Sequence, residues 1–483
     1  MVEANIAAGY LSLAKYARKE MFLHADFELK ATRMLAQCLK CMQGSRIIHD
    51  LDRLKELATG KSSPGFPWNL RYSKKSTLFG DHSFDEYFKW FHESRLKGIR
   101  VPAVYVNSVK RELKDQSKVL MNNVRTYTAG PVQLTLEGYS YFADQNSKLV
   151  QAANELSIPV TAGLQKFAGG WNRLYNALNR FPNAGMMDIS SYDSGLGRKM
   201  FDRAYQVRKS CLSADQSELL AVDQYMEDVV ASYILCDGGE IVQKQTGNPS
   251  GQTNTISDNC LILLWAFFYA WSLLKPNDYD ATWYEFNENV ALFVCGDDSI
   301  YTVSDDIKDW YNPAAIQEVF ESFGWKFKIQ TPDFMKLDDT EYCSMQWVKH
   351  GRMVFPKPST SKMLSSLVFK GRSESLRMTF LRACALRIEC WYNKECVEIL
   401  NGLCQWLLFN YRDVMERLPI TEMDPFSFDE VLLSYLSSFE IEELYIGGEN
   451  HNVGLRPIIF EVSLHLEEYS ILAELYELDK QIR

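Results

Sequence analysis

Four groups of residues have types and spacings suited to phosphate chemistry. Gly296-Asp297-Asp298 lies between the apolar stretches Leu292-Phe-Val-Cys295 and Ser299-Ile-Tyr-Thr-Val303. Adjacent carboxylates in a tight turn between apolar strands are costly unless something neutralises them. A divalent cation such as Mg2+ does so through hard oxygen ligands, commonly one or two carboxylates plus phosphate oxygens. The second group is Asp188-Ile-Ser-Ser-Tyr-Asp193. Asp188 ends a short apolar strand, a rigid place for a metal ligand. Asp193 follows five residues later, where a strand-to-helix turn faces it toward the same cleft. The third is Gly247-Asn-Pro-Ser-Gly-Gln-Thr-Asn-Thr-Ile-Ser-Asp-Asn259, with a flexible turn at Ser250-Gly251. Thr255 and Asn259 share one face of the helix that follows, and small polar groups on one face suit sugar hydroxyls. The fourth is Lys110-Arg-Glu-Leu-Lys-Asp-Gln-Ser-Lys118 with Arg125. Cations at that density suit a triphosphate, which needs several positive partners. Taken singly, each group also reads as something plainer: a hairpin turn, a solvated helix cap, a polar first turn, a solvated basic loop.

The elements that must position these groups are legible in the hydrophobic pattern. Gly185 to Ile189 reads as a strand, and Val290 to Val303 as a β-hairpin around Gly296-Asp297-Asp298. After the Gly247–Gly251 turn, a long apolar helix runs to about Leu274. Its apolar run, Cys260 to Leu274, has 15 residues. A bilayer span needs about 20, so this is a buried core helix. Residues 1–58, 84–98, 133–180 (with a break at Gly169-Gly170), 196–234 and 313–323 read as mainly helical. Val101 to Val106 and Trp325 to Ile329 read as strands, and Tyr342 to Phe355 as a hairpin turning near His350-Gly351. Gly60-Lys-Ser-Ser-Pro-Gly-Phe-Pro-Trp68 is a loop.

The chain has 483 residues, 46% hydrophobic and 24% charged, which fits a packed globular protein of several lobes and excludes disorder throughout. The net charge of −10 argues against a nucleic-acid partner until its distribution is read. Residues 53–130 hold 15 basic against 7 acidic side chains, and residues 415–483 hold 4 against 15. Local fields, not totals, steer a polyanion into a cleft. Eleven scattered cysteines and a polar N-terminus without a secretory signal fit a reducing compartment. Cys38 and Cys41, the one close pair, read as two buried helix cysteines rather than half a zinc site.

In order and spacing, these groups resemble the motifs of viral RNA-dependent RNA polymerases of the picornavirus-like supergroup of positive-strand RNA viruses. Lys110 to Arg125 resembles motif F, which meets the incoming NTP. Asp188-x4-Asp193 resembles motif A, and Ser250-Gly251-x3-Thr255-x3-Asn259 resembles motif B. Gly296-Asp297-Asp298 resembles motif C. Ser62 to Trp68 resembles the template-facing loop, motif G. Gly324 to Lys336 resembles motif D, and Tyr342 to Phe355 the motif E hairpin. The resemblance spans about residues 60–370. Gly-Asn-Pro-Ser-Gly-Gln is closer to astrovirus-like sequences, Cys295 stands where Tyr is frequent, and Lys336 and Lys328 compete for the motif D lysine.

The resemblance implies an α+β right-hand polymerase. Fingers would take 1–184 and 205–244, a palm of antiparallel sheet and helices 185–204 and 245–365, and a helical thumb with an acidic end 366–483. It implies nucleotidyl transfer with two Mg2+ ions (or Mn2+) held by Asp188, Asp297 and Asp298. Lys110, Arg111, Lys118 and Arg125 would neutralise the triphosphate, and Lys336 would protonate pyrophosphate. Asp193, Ser250, Thr255 and Asn259 would read the ribose 2′-hydroxyl. Ser63, Pro64 and Gly65 would meet template, with Phe66 and Trp68 either stacking on bases or packing the loop. Partners would be template and product RNA, NTPs, other viral replicase proteins and a protein primer. The setting would be the host cytoplasm, with membranes reached through partners. A reverse transcriptase would carry Tyr-x-Asp-Asp and a bulky residue in place of Asp193, and neither is present. A degenerate RNA-binding scaffold would lack one of the three motif A and C carboxylates, and all are present.

Overall fold

A computed structural model describes residues 7–17, 21–110, 116–327, 332–368, 375–421 and 424–447. Helices and sheets are mixed, and the chain divides into two compact units. One comprises residues 1–164 and 178–337, the other residues 165–177 and 338 onward.

The first unit holds two four-stranded sheets. In one, the spatial order is Lys326–Phe327, Asn183–Ser190, Asp298–Val303, Val290–Cys295, with all neighbours antiparallel. Val290–Cys295 and Asp298–Val303 are buried along their length except at Cys295 and Asp298, which flank the turn. A strand covered on both faces reads as a continuous apolar run, as these do. Gly185 lies opposite Tyr301, whose ring fills the space a Cβ would occupy.

The helix Thr255–Leu274 is the anchor of this unit. Every residue from Ser257 to Ser272 is buried. A helix apolar all round must be covered all round. It packs on Ala25–Cys38, Arg198–Ser210, Pro313–Ser322 and the Val290–Cys295 strand. It is long and apolar enough to cross a membrane, yet that length is almost wholly enclosed by the fold. Polar groups along it find partners on the packed elements: the Trp265 indole donates to Thr32 Oγ1 at 3.1 Å, and Tyr311 donates to the Phe267 carbonyl at 3.0 Å. Each fully buried Leu, Ile or Phe contributes roughly 1.5–3 kcal/mol, so the first turn of this helix is held on a rigid base.

The second sheet runs Thr126–Ala129, Val104–Val109, Tyr233–Leu235, Ile241–Gln243. Val104–Val109 joins Tyr233–Leu235 in parallel, and the other pairs are antiparallel. Val104–Val109 shares only residues 104–106 with the expected strand 101–106 and runs on past it, because Pro102 has no N–H to give a ladder. Pro131 then caps the helix Val132–Asn154. The helical reading of residues 1–58 resolves into Ala7–Leu13, Ala25–Cys38 and Leu51–Leu57. Cys38 is buried at the end of its helix and Cys41 half-buried in the turn after it. Residues 111–115 and 328–331 lie outside the described residues.

In the second unit, Met345–His350 and Met353–Pro358 form the expected hairpin, with Glu341–Tyr342 beside it. Trp171 packs against Trp347, with ring centroids 4.6 Å apart. The helices Leu376–Glu389 and Lys394–Arg417 pack around Phe380, Cys384, Leu400 and Cys404. Arg377, 1% exposed, pairs with Asp424 at 3.0 Å. The acidic residues from 448 on lie outside the described residues.

Candidate active site

Asp188 lies directly opposite Asp298 in the register of Asn183–Ser190 and Asp298–Val303. Residues directly opposite in an antiparallel pair put their side chains on the same face, about 4.5–5.5 Å apart. Cys295 is Asp298's partner on the other side. Gly296 and Asp297 form the two-residue loop, and Gly296 has φ +65°. A two-residue hairpin loop with glycine at its first position matches the right-handed twist of its strands. The Gly296 N–H points at Cys260 Sγ, 3.1 Å away, which ties the loop to the Thr255–Leu274 helix. Asp188, Asp297 and Asp298 are all half-buried.

Like charges directly opposite destabilise a sheet, and a cation between them reverses the sign. The donors are all carboxylate oxygens, the hard set that suits Mg2+ or Mn2+ rather than zinc or copper. The residues present therefore fit the implied ions. Among the described residues, no three His, Cys, Asp or Glu side chains already converge as a metal cage.

Asp193 is turned back by a left-handed residue. Ser191 has φ 53° and ψ 44°, just after the strand ends, and the short helix Tyr192–Gly195 follows. A non-glycine residue there costs about 1–2 kcal/mol. Buried contacts hold it: Tyr192 donates to the Asn259 carbonyl at 3.0 Å, and the Trp325 indole to the Gly195 carbonyl at 2.9 Å. The Asp193 carboxylate accepts from Asn259 Nδ2 at 2.7 Å and from Ser250 Oγ at 2.8 Å. Thr255 is not part of this set. Its hydroxyl donates to the Gln252 carbonyl at 2.9 Å and the Pro249 carbonyl at 3.1 Å, so it closes the loop before its helix.

The Gly247–Gly251 loop is fixed from three sides. Lys244 is buried and donates to the carbonyls of Val229, Val230 and Gly247 at 2.7, 2.8 and 2.7 Å. Burial pushes its ammonium well below the usual lysine range. Tyr16 donates to the Asn248 carbonyl at 3.3 Å, and burial followed by the Asp193 charge raises its phenol. Gly251 bridges to Ala129, and a Cβ on it would drive into the Thr128 carbonyl. Gly251→Ala is therefore expected to lower stability by about 1–3 kcal/mol and to slow nucleotide incorporation. Denaturant midpoints and incorporation rates measured side by side check both.

Lys110 and Arg125 close the Val104–Val109/Thr126–Ala129 ribbon, where the Lys110 N–H donates to the Arg125 carbonyl at 2.8 Å. Both side chains are exposed, as is Lys118 on Gln116–Leu120. Arg111 lies outside the described residues. The Ala129–Gly251 bridge joins this basic ribbon to the loop bearing Ser250.

Two further expectations are corrected by placement, and the open reading of Trp68 is resolved. Lys336 follows Met335, which bridges Ala184 at the far end of the Asp188 strand. Four residues of strand, about 13 Å, separate that bridge from Asp188, so Lys336 is not brought to the carboxylates. Its competitor Lys328 lies outside the described residues. Of the three residues expected to meet template, Ser63, Pro64 and Gly65, Ser63 alone is exposed. Pro64 and Gly65 are buried, the Val132 N–H donating to the Pro64 carbonyl at 2.8 Å and Gly65 lying against Gly130 and Pro131. Trp68 packs against Phe84 and Tyr87 and donates to Gln133 Oε1 at 3.1 Å, so it is a packing residue.

Sequence reading missed Asn248, Gln252, Asp258 and Arg208. These buried polar residues stand behind Asn259. The available signal was an acid, Asp258, beside a long apolar run, where a charge needs a buried partner.

Carboxylates paired across an antiparallel sheet, an Asp193 carboxylate held by Asn259 and Ser250, and a basic ribbon bridged to the Ser250 loop together suit phosphate and sugar chemistry. A family model described as viral RNA-dependent RNA polymerase matches residues 15–408, and the chain belongs to that family. It is an RNA-directed RNA polymerase of the positive-strand RNA virus kind, a family that uses divalent metal ions. Relatives include the genome polyprotein of Bean yellow mosaic virus, 28% identical over 311 residues, 63% of this chain and 10% of the polyprotein. Genome polyprotein 1 of Barley mild mosaic virus (strain Na1) is 32% identical over 241 residues, 49% of this chain and 10% of that protein. The chain thus spans about a tenth of these relatives' length. The supergroup expected from the motifs is the one found. The sicinivirus 3Dpol RNA-dependent RNA polymerase shares the right-hand fold, with TM-score 0.68, 16% identity, and coverage of 84% of this chain and 85% of that one.

Proposed function

We propose that the chain copies a viral RNA genome by two-metal transfer of ribonucleotides to an RNA 3′-hydroxyl. The observation that carries this is the register pairing of Asp188 with Asp298 beside the Gly296-Asp297 turn. Asp188 and Asp297 would hold Mg2+ ions, which Mn2+ could replace, and Asp298 would assist from the paired position. Ions held there would supply charge stabilisation for nucleotidyl transfer. The protein's own work is positioning and charge neutralisation, since phosphoryl transfer leaves little covalent work for side chains. Lys110, Lys118 and Arg125 neutralise the triphosphate, with Arg111 as a further cation. Ser63 borders the template. Template base pairing supplies sequence information, so no base-reading side chain is needed.

The Asp193 carboxylate, held by Asn259 and Ser250, accepts from the ribose 2′-hydroxyl. A site built to pair with a hydroxyl penalises an analogue lacking it. Asp193→Ala is therefore expected to cut the preference for an rNTP over its 2′-deoxy form by at least ~10-fold. Single-nucleotide incorporation with each substrate measures this, and an unchanged ratio contradicts the assignment. The hand divides into fingers, palm and thumb as the motif order implies. Other replicase proteins and a protein primer are its partners in the host cytoplasm, consistent with relatives that are genome polyproteins, of which this chain matches about a tenth.

A further inference from the structure

Behind the residues assigned to the ribose lies a buried chain of polar side chains with a fixed direction. Asp258 and Arg208, both 0% exposed, form an ion pair at 2.9 Å. The other Asp258 oxygen accepts from Gln252 Nε2 at 2.8 Å and from the Tyr205 hydroxyl at 3.2 Å. A carboxylate only accepts, so Gln252 must turn its NH2 toward it. The Gln252 carbonyl oxygen is taken up by the Asn254 N–H at 2.6 Å and the Tyr225 hydroxyl at 3.2 Å. The same Gln252 NH2 donates to Asn248 Oδ1 at 3.1 Å. Asn248 must then present its own NH2 to Asn259 Oδ1, 2.9 Å away. That in turn leaves the Asn259 NH2 facing Asp193 Oδ1 at 2.7 Å. Asn248 is 0% exposed, Asn259 6% and Gln252 8%, so water has little access to replace a missing donor.

We propose that Asn248 and Gln252 are positioning residues for sugar selection: they transmit the polarity of the Arg208–Asp258 ion pair to Asn259, so that Asn259 donates to Asp193. Nothing in an asparagine fixes which end of its amide faces a neighbour. The two ends are nearly the same size, and only hydrogen bonding distinguishes them. If Asn259 were reversed, its carbonyl oxygen would face the Asp193 carboxylate. Two acceptors would then oppose one another, and Asp193 would swing away from the position in which it accepts from a 2′-hydroxyl. The ion pair therefore acts at a distance of three side chains on the choice between ribose and deoxyribose. The proposal rests on the reading of Asp193 given above.

The test is the ratio of incorporation efficiencies for an rNTP and its 2′-deoxy form, measured with the full chain on a primed RNA template. Asn248→Asp keeps the shape and removes the donor facing Asn259. The ratio is expected to fall by about 10-fold or more. A loss of fold or of metal binding lowers both efficiencies and leaves the ratio in place, so a merely structural role does not imitate the result. Gln252→Met removes the donor to Asn248 without adding a charge, and a fall of about 3-fold or more is expected. It decides the matter if Asn248→Asp fails to fold. In an Asp193→Ala background, Asn248→Asp is expected to change the ratio no further, because both act through one carboxylate. An unchanged ratio in the single variants, with extension retained, overturns the proposal. So does an additive effect in the double variant. A wild-type chain with no ribose preference overturns the reading of Asp193 itself.

Discussion

Asp297→Asn is expected to reduce templated nucleotide incorporation by about 1,000-fold, while the chain remains folded. Asp297 occupies the second position of a two-residue hairpin loop, where Asn is sterically equivalent and well tolerated. The hairpin's own stability comes from the buried strands Val290–Cys295 and Asp298–Val303 and from the Gly296 contact with Cys260. What the substitution removes is charge at a metal ligand. Loss of roughly 4 kcal/mol of transition-state stabilisation corresponds to about three decades of rate. Steady-state incorporation with a saturating primer–template, alongside a circular dichroism spectrum, checks both halves of the expectation. A variant that retains most of its rate would remove Asp297 from the metal site.

Arg208→Leu is expected to destabilise the first unit by about 3–5 kcal/mol, because Asp258 is left buried and unpaired. Burial already pushes the Asp258 carboxyl above its usual range, and Arg208 is the charge that opposes it. Arg208 also packs its guanidinium over Phe142, 4.6 Å from the ring centroid, so part of the loss is contact. Replacing both partners by apolar residues of similar volume, Arg208→Met with Asp258→Leu, is expected to recover most of that stability. Denaturant unfolding measures the three proteins. Recovery of stability in the double variant without recovery of ribose preference would separate the ion pair's two roles.

The sequence made the core of the site legible because its elements are strongly patterned. Gly296-Asp297-Asp298 sits between apolar runs that can only be buried strands, and the Asp188 strand and the Thr255–Leu274 helix are equally distinct. Even the turn that brings Asp193 back was readable, although the left-handed Ser191 that makes it was not. Tertiary contacts hold Ser191 in that conformation, and its residue type gives no sign of it. Less was legible where loops are fixed by distant backbone. Pro64 and Gly65 have the composition of an exposed loop, yet Gly130 and Pro131 cover them. Thr255 has the spacing of a ligand contact and is occupied as a cap. Lys336 has the motif position expected of the general acid, but the antiparallel bridge of Met335 to Ala184 runs it away from the carboxylates. The Asn248–Gln252–Asp258 chain was hidden for another reason. In one dimension a buried polar residue and a solvated one look alike, and only a partner such as Arg208, 50 positions earlier, tells them apart.

The most direct test of the central claim is extension of a primer on a defined RNA template by the wild-type chain, with the divalent ion as the only variable. No extension is expected after chelation, with full-length complementary product when Mg2+ is restored, slower but real synthesis with Mn2+, and pyrophosphate released in step with each nucleotide added. Extension that persists without a divalent ion, or product that does not follow the template, would contradict the claim.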